Sequence, residues 1–326
     1  MGTARLTGEQ SKRVQILRGL ACVAVVFIHN TPPGVAQVFA KPFLNFAVGL
    51  FLFLSGMLSS PGRDLKKRLF KLLIPYLLWT LIYSVMSNIR EPARIPLVTL
   101  RNLLFARANG SLYYIFVYCE LMLLIPLIDR LSRSRFRYWG FAIAPLEILI
   151  MRYLPLIGGY GIDPYIGLVK AISCLGWFTY FYLGYLLGNG RISLKADSGR
   201  LILLWLCSLL LQMAEGFCFY RLGHSFAGSQ LKVSSVLSGV LFALLSYGYV
   251  LRGQDRGGKL LKFLGDHSFG IYLSHLAVMA VLVQIPGYKT SVPFPVRALI
   301  TVAITAVCVG SGKRILGKYS KYLGLS

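Results

Sequence analysis

Val14-Gln15-Ile16-Leu17-Arg18-Gly19-Leu20-Ala21-Cys22-Val23-Ala24-Val25-Val26-Phe27-Ile28-His29-Asn30 is the stretch that decides the fold. It is an apolar run close to the ~20 residues that cross a bilayer as a helix, and it carries an arginine and a histidine. Arg18 and His29 stand eleven positions apart. At about 100° and 1.5 Å per residue this is roughly three full turns, so a helix places both on one face about 16 Å apart along its axis. Ionisable groups inside an apolar span are functional candidates. The competing reading is an arginine whose stem reaches the membrane surface and a histidine satisfied by a core hydrogen bond.

Outward from this run the chain repeats the pattern. Of its 326 residues 56% are hydrophobic and 14% charged, which places it among polytopic membrane proteins. Hydropathy predicts ten spans, near 14–34, 42–60, 72–89, 111–129, 139–157, 169–189, 201–220, 231–251, 267–285 and 296–313. The runs are too long and too uniformly apolar for barrel strands, so the expected fold class is an all-α integral membrane protein, read as one domain over 1–326. The net charge of +24 is strung between apolar runs instead of forming one stripe or tail, which argues against a nucleic-acid partner.

Ten spans put both termini on one side, and the basic residues choose it. The N-terminal segment, the loops at 61–71, 130–137, 191–200 and 252–262 and the C-terminal segment hold 24 of the 35 lysines and arginines. By the positive-inside rule that face is cytoplasmic, with N and C termini inside. Arg90, Arg94, Arg101 and Arg107 break the trend. Either the topology differs there, or the arginines serve an anion on the outer face, or the segment lies in the interface against lipid phosphates. The first span lacks a small-x-small cleavage site and is expected to be retained. Six scattered cysteines without a C-x-x-C pair predict neither disulfide nor metal, and the four histidines have no H-x-x-x-H spacing, so no metal is expected.

Two later segments carry further signals. Phe51-Leu52-Phe53-Leu54-Ser55-Gly56-Met57-Leu58-Ser59-Ser60 holds the small-xxx-small spacing that lets helices approach closely, at Gly56 and Ser60. Lys66-Lys67-Arg68-Leu69-Phe70-Lys71 then opens the third span. Arg68 and Lys71 share a helical face there, as a phosphate site or as ordinary cytoplasmic anchoring.

Taken in order, these pieces resemble the acyltransferase-3 family of integral-membrane sugar and glycan O-acyltransferases. The R-x10-H opening at Arg18 and His29, Phe-Leu-Ser-Gly at 53–56, the basic helix start running to Ile74-Pro75-Tyr76, Tyr113 with Leu121 to Pro126, and Phe269-Gly270-Ile271-Tyr272-Leu273-Ser274-His275 carry the likeness over nearly the whole chain. The family's R-x-x-R stands here as Arg68-x-x-Lys71, and Tyr113 replaces a tryptophan. The chain is similar to the short members without an appended extracytoplasmic domain. The resemblance implies transfer of an acyl group, usually acetyl, from cytosolic acyl-CoA to a carbohydrate hydroxyl of a cell-envelope or secreted glycan. It implies a bacterial inner membrane, with acyl-CoA, a carbohydrate acceptor and membrane lipid as partners.

On this reading Arg18, Arg68 and Lys71 hold the nucleotide phosphates of acetyl-CoA, and His29 acts as general base or as transient acyl carrier. The embedded carboxylates Glu215, Glu120 and Glu147 are candidate partners for its imidazole, and Ser55, Tyr272 and His275 are candidate pocket-lining residues. Tyr153, Tyr160 and Tyr165 are candidate sugar-facing aromatics or members of an interfacial belt. The alternative from another class is a transporter or flippase for a glycan or lipid-linked sugar.

Overall fold

A computed structural model describes residues 6–62, 64–158, 173–194, 197–224, 226–252 and 258–325, and every regular element among them is helical. In chain order the helices are α1 (Gly8–Asn30), α2 (Val35–Ala40), α3 (Phe46–Met57), α4 (Leu65–Ser87), α5 (Ile95–Phe105), α6 (Tyr113–Leu123), α7 (Ile125–Arg133), α8 (Ile143–Ile148) and α9 (Leu154–Gly158). They continue with α10 (Phe178–Gly188), α11 (Ser198–Arg221), α12 (Val233–Arg252), α13 (Lys259–Asp266), α14 (Ser268–Leu282), α15 (Tyr288–Ser291) and α16 (Val296–Leu316).

Among the described residues six stretches are long and apolar enough to cross a membrane: Val35–Met57, Leu65–Ser87, Arg137–Leu156, Ser198–Arg221, Val233–Arg252 and Val296–Leu323. The other four hydropathic runs hold helices that are charged or short. α1 has the length but carries Lys12, Arg13 and Arg18, while α6, α10 and α14 span 11, 11 and 15 residues. Proline sets some of the boundaries. The run at 111–129 divides at Leu124, ahead of Pro126 at the start of α7. Between α8 and α9 the turn at Leu149–Tyr153 widens to a π-helix, where Pro155 has no N–H to give the carbonyl four residues back.

α1 begins six residues before the apolar run because Thr7 and Gln10 cap it reciprocally. The Thr7 hydroxyl accepts from the Gln10 N–H at 3.2 Å and the Gln10 amide oxygen from the Thr7 N–H at 3.1 Å. It ends at Asn30, two residues before Pro32-Pro33.

The chain forms two compact units. In the first, which contains α1–α3 and α7–α13, the organising element is α10, buried from Phe178 to Leu187. A helix apolar on all sides belongs inside a core, and each of its buried tyrosine hydroxyls is paired, as burial requires. Tyr180 donates to Ser235 O at 3.2 Å, Tyr182 to Arg137 O at 2.6 Å and Tyr185 to Asp129 Oδ1 at 2.9 Å. Asp129 also pairs with Arg133 at 2.9 Å and Arg191 at 3.7 Å.

α10 meets α3 through a glycine interlock. A Cβ at Gly56 would collide with the Phe181 carbonyl, one at Gly184 with the Phe53 carbonyl, and one at Gly188 with the Met57 carbonyl. The small-residue reading of Gly56 is therefore realised, with Gly184-x-x-x-Gly188 as the matching surface and Ser60 beyond the helix end. α1 meets α13 in the same manner: Gly19 lies against the Leu261 carbonyl and Gly265 against the Gln15 carbonyl.

In the second unit, which contains α4–α6 and α14–α16, α4 buries Tyr76, Trp79 and Tyr83 on one face and exposes Phe70, Leu73, Leu77 and Leu81 on the other. The polar ends of the buried face reach backbone carbonyls. Tyr76 donates to Leu103 O at 2.7 Å, Trp79 to Leu323 O at 3.0 Å and Tyr83 to Leu273 O at 2.7 Å. α5 docks on α4 through Asn102, whose amide donates to Ser84 Oγ at 3.0 Å. Its outer face presents Leu97, Leu100 and Leu104 with Arg101 beside them. Of the arginines that interrupt the charge pattern, Arg101 lies on α5, Arg94 precedes it and pairs with Glu91 at 2.8 Å, and Arg90 and Arg107 lie outside the helix.

Candidate functional site

α1 keeps Arg18 and His29 on one unbroken helix, both partly exposed. The eleven-residue spacing therefore has the geometry that the sequence predicts, about 16 Å along one face. His29 occupies the last turn of α1. Lys41, on the 3-10 turn Lys41–Phe43 that follows α2, donates to the Gln37 amide oxygen at 3.0 Å. Ser55 is buried on α3, and its carbonyl accepts from the Ser59 hydroxyl at 2.7 Å.

The same unit holds a polar cluster built by α11, α12 and the α2 region. Tyr153 and Ser234 each donate a hydroxyl hydrogen bond to Glu215, one to each carboxylate oxygen. Lys232, 1% exposed, donates to Ala227 O at 2.7 Å and Gln212 O at 3.2 Å. Gln212 accepts from the Asn45 amide and donates to Ser238 Oγ at 2.7 Å. Val38, Phe219 and Ala227 form a buried apolar patch beside the cluster, with Tyr153, Leu156 and Phe226 packed on it.

Glu215 thus has two hydroxyl donors as its partners. A donor left without its acceptor costs about 1–3 kcal/mol. Glu215→Ala is expected to lower the thermal unfolding midpoint of the detergent-solubilised protein. Adding Tyr153→Phe to that variant is expected to recover part of the loss. A Glu215→Ala protein as stable as wild type would refute the pairing.

The second unit holds Arg68, Lys71, Glu120, Tyr272 and His275. Arg68 donates to the Tyr118 hydroxyl at 3.1 Å, and Lys71 is exposed one turn further along α4. The start of α4 is capped by Asp64, whose carboxylate accepts from the Lys67 N–H at 3.1 Å. The Lys67 N–H at this helix start is therefore already taken by Asp64, and what remains open toward an anion includes the cationic side chains. Glu120 accepts from the Cys174 N–H at 2.8 Å. Tyr272 donates to Ser111 O at 2.6 Å.

His275 is fully buried, with Nδ1 2.7 Å from Tyr272 O. A carbonyl neighbour requires the proton on Nδ1, so the neutral ring carries its lone pair on Nε2. His224 stacks on Phe226 and His267 precedes α14. Among the described residues no group of three His, Cys, Asp or Glu side chains is placed to hold a metal, and no disulfide forms. Tyr160 and Tyr165 lie outside the described residues.

Three features escape a reading of the sequence alone. Lys41 and Lys232 sit at the edges of apolar runs, where a cation reads as a span terminus. Gln212 is unremarkable within its run until the fold brings it to Asn45, and the contact of Tyr153 with Glu215 is likewise set by the fold. The signal that was present is the Gly184-x-x-x-Gly188 pair, which repeats the spacing recognised at Gly56.

Comparison with family models matches the chain to the one described as an acyltransferase domain, Acyl_transf_3, over residues 12–312. No curated protein matches the chain, and no solved structure does.

Proposed function

The chain belongs to the Acyl_transf_3 family of membrane acyltransferases, and from that premise we propose that it moves acetyl from cytosolic acetyl-CoA to a hydroxyl of a cell-envelope or secreted glycan. The observation that carries the proposal is the family match across 12–312, within which Arg18 and His29 lie on the single helix α1. We assign the protein to a bacterial inner membrane, with both termini cytoplasmic and the matched region acting as one catalytic domain.

In this proposal Arg18, Arg68 and Lys71 bind the phosphates of the donor, since guanidinium and ammonium groups supply the charge-assisted donors that phosphates need. His29 takes the proton of the acceptor hydroxyl as its oxygen adds to the thioester carbon. The carbon–sulfur bond then breaks, and the departing CoA thiolate receives that proton. If His29 instead attacks first, it carries the acetyl group as an acyl-imidazole and passes it on. Tyr272, His275 and Ser55 are assigned to pocket walls. Glu120 and Glu215 remain candidate orienters of the imidazole, Glu215 through its hydroxyl partners.

The test is release of free CoA thiol from acetyl-CoA by the purified protein in detergent or proteoliposomes. Thiol release that depends on intact protein is the expected result. Its absence, together with movement of a labelled glycan or lipid-linked sugar across the vesicle membrane, would replace the enzyme with a carrier.

A further inference from the structure

In the second unit the chain does not stay at the end of α4 after leaving it. Asn102 donates to Ser84 Oγ at 3.0 Å, and the Leu103 carbonyl accepts from the Tyr76 hydroxyl at 2.7 Å. Further on, the Phe116 and Tyr76 ring centroids are 5.6 Å apart, and the Tyr118 hydroxyl accepts from Arg68 at 3.1 Å. Positions falling from 84 to 68 on α4 thus meet positions rising from 102 to 118. α5 and α6 follow one another antiparallel to α4, and their 11 residues each amount to about 33 Å of helix, close to the thickness of a bilayer core. Hydropathy, by contrast, opens the fourth run only at 111 and leaves 90–109 outside.

Between the two helices, 106–112 is not helical. Ala106 takes a left-handed φ of 50° while buried, and side chains pair the backbone groups freed there. Asn109 Oδ1 accepts from the Ser111 and Leu112 N–H groups at 2.8 and 3.0 Å, and Tyr272 donates to Ser111 O at 2.6 Å. Tyr76, whose hydroxyl also lies 3.2 Å from Asn102 O, is the midpoint of α4, with 11 of the helix's 23 residues, about 16 Å, on either side. The Arg107 N–H donates to that same Asn102 carbonyl at 3.3 Å, so Arg107 leaves the backbone near half-depth. Irregular backbone at such depth is found inside protein or along a water-filled cavity. The Arg107 side chain is exposed, and among the described residues no carboxylate pairs with it. A guanidinium facing hydrocarbon is costly, and arginines within membranes face the bundle interior or water.

We propose that α5 and α6 are two halves of one discontinuous membrane crossing, and that the break between them lines a water-filled passage where Arg107 binds a phosphate or carboxylate group of a substrate. A guanidinium presents five N–H donors in a planar fork that suits either anion, and no internal carboxylate competes for it. The arrangement also gives a task to motif residues that the chemistry above leaves structural. Tyr76 of Ile74-Pro75-Tyr76 holds carbonyls on the α5 side of the break, and Tyr272 holds Ser111 O on the α6 side. The passage and its charge stand apart from the acyltransfer reading, which supplies only the identity of the substrate.

The experiment places Ala108→Cys and Leu77→Cys in proteoliposomes, each alone and combined with Arg107→Gln, after all four proteins are shown to be monodisperse. Membrane-impermeant methanethiosulfonates, one a sulfonate and one a trimethylammonium, are supplied on both faces. Modification is read at the residue by peptide mass, so the native cysteines do not interfere. Position 108 is expected to react, and position 77, on the exposed apolar face of α4 beside its midpoint, to stay inert. Arg107→Gln is expected to lower the sulfonate-to-trimethylammonium rate ratio at 108 by at least about fivefold, the factor that a unit charge produces at about 4 Å in water. Slowing of the reaction by saturating acetyl-CoA identifies the donor phosphates as the anion, and slowing by glucuronate instead identifies an acidic acceptor sugar. An inert position 108, or equal reactivity at 77, overturns the passage. An unchanged ratio, or protection by neither anion, overturns Arg107 as an anion site. Where Ala108→Cys aggregates, Arg107→Cys repeats the access measurement at a side chain that the wild type exposes. None of these readings needs turnover, so failure of acyl transfer leaves them standing.

Discussion

Gly184→Leu is expected to abolish recovery of folded protein. α10 runs so close to α3 that the first carbon of any side chain at Gly184 meets the Phe53 carbonyl and lies 2.8 Å from the Met57 N–H nitrogen. Flexible side chains yield to an overpacked core at about 1–3 kcal/mol. Here the obstruction is backbone in a helix buried throughout, so relief requires moving α10 away from α3 and breaking the contacts of Tyr180, Tyr182 and Tyr185. The cost then approaches the whole ~5–15 kcal/mol that holds a domain together. Gly248, on α12, has open space where its Cβ would stand. Gly248→Ala is expected to be neutral or to gain up to about 1 kcal/mol from the better helix former. Size-exclusion profiles of the two variants in mild detergent make the comparison, and a monodisperse Gly184→Leu protein would refute the close packing of α3 and α10.

His29→Ala is expected to lower acetyl transfer by about two to four orders of magnitude, the range that a positioned general base contributes. A nucleophilic role would make the loss at least as large. The variant is expected to stay monodisperse, because His29 sits partly exposed on the last turn of α1, more than two turns beyond the contacts of Gln15 and Gly19 with α13. Binding of donor is expected to survive, since the phosphates are assigned to Arg18, Arg68 and Lys71. Equal loss of donor binding and turnover would instead make His29 a binding residue.

The part of this architecture legible in the sequence was local. A long helix with Arg18 and His29 on one face follows from spacing alone, and so does close packing at Gly56, because both depend only on helix periodicity. The capping box at Thr7 and Gln10 was equally local, and it carries α1 beyond the start of the apolar run. What could not be read was set by tertiary pairing. Glu215 reads as a possible orienter of His29, and only the fold brings Tyr153 and Ser234 to its carboxylate.

Hydropathy likewise marks ten apolar runs without showing which stay straight. Pro126 and Pro155 interrupt the backbone pattern within two of them, while α10 is a short helix whose burial comes from α3 and its neighbours. Lys41 and Lys232 illustrate the same limit. Alike in residue type, they differ in what the fold supplies as a partner: two backbone carbonyls for Lys232 and the Gln37 amide oxygen for Lys41.

The most direct test is transfer of radiolabel from acetyl-CoA to an envelope-glycan extract by reconstituted wild-type protein and His29→Ala in parallel. Label in the glycan with wild type and none with the variant is the predicted result. Undiminished transfer by His29→Ala, or no transfer and no hydrolysis by folded wild-type protein across varied extracts and acyl chain lengths, would contradict it.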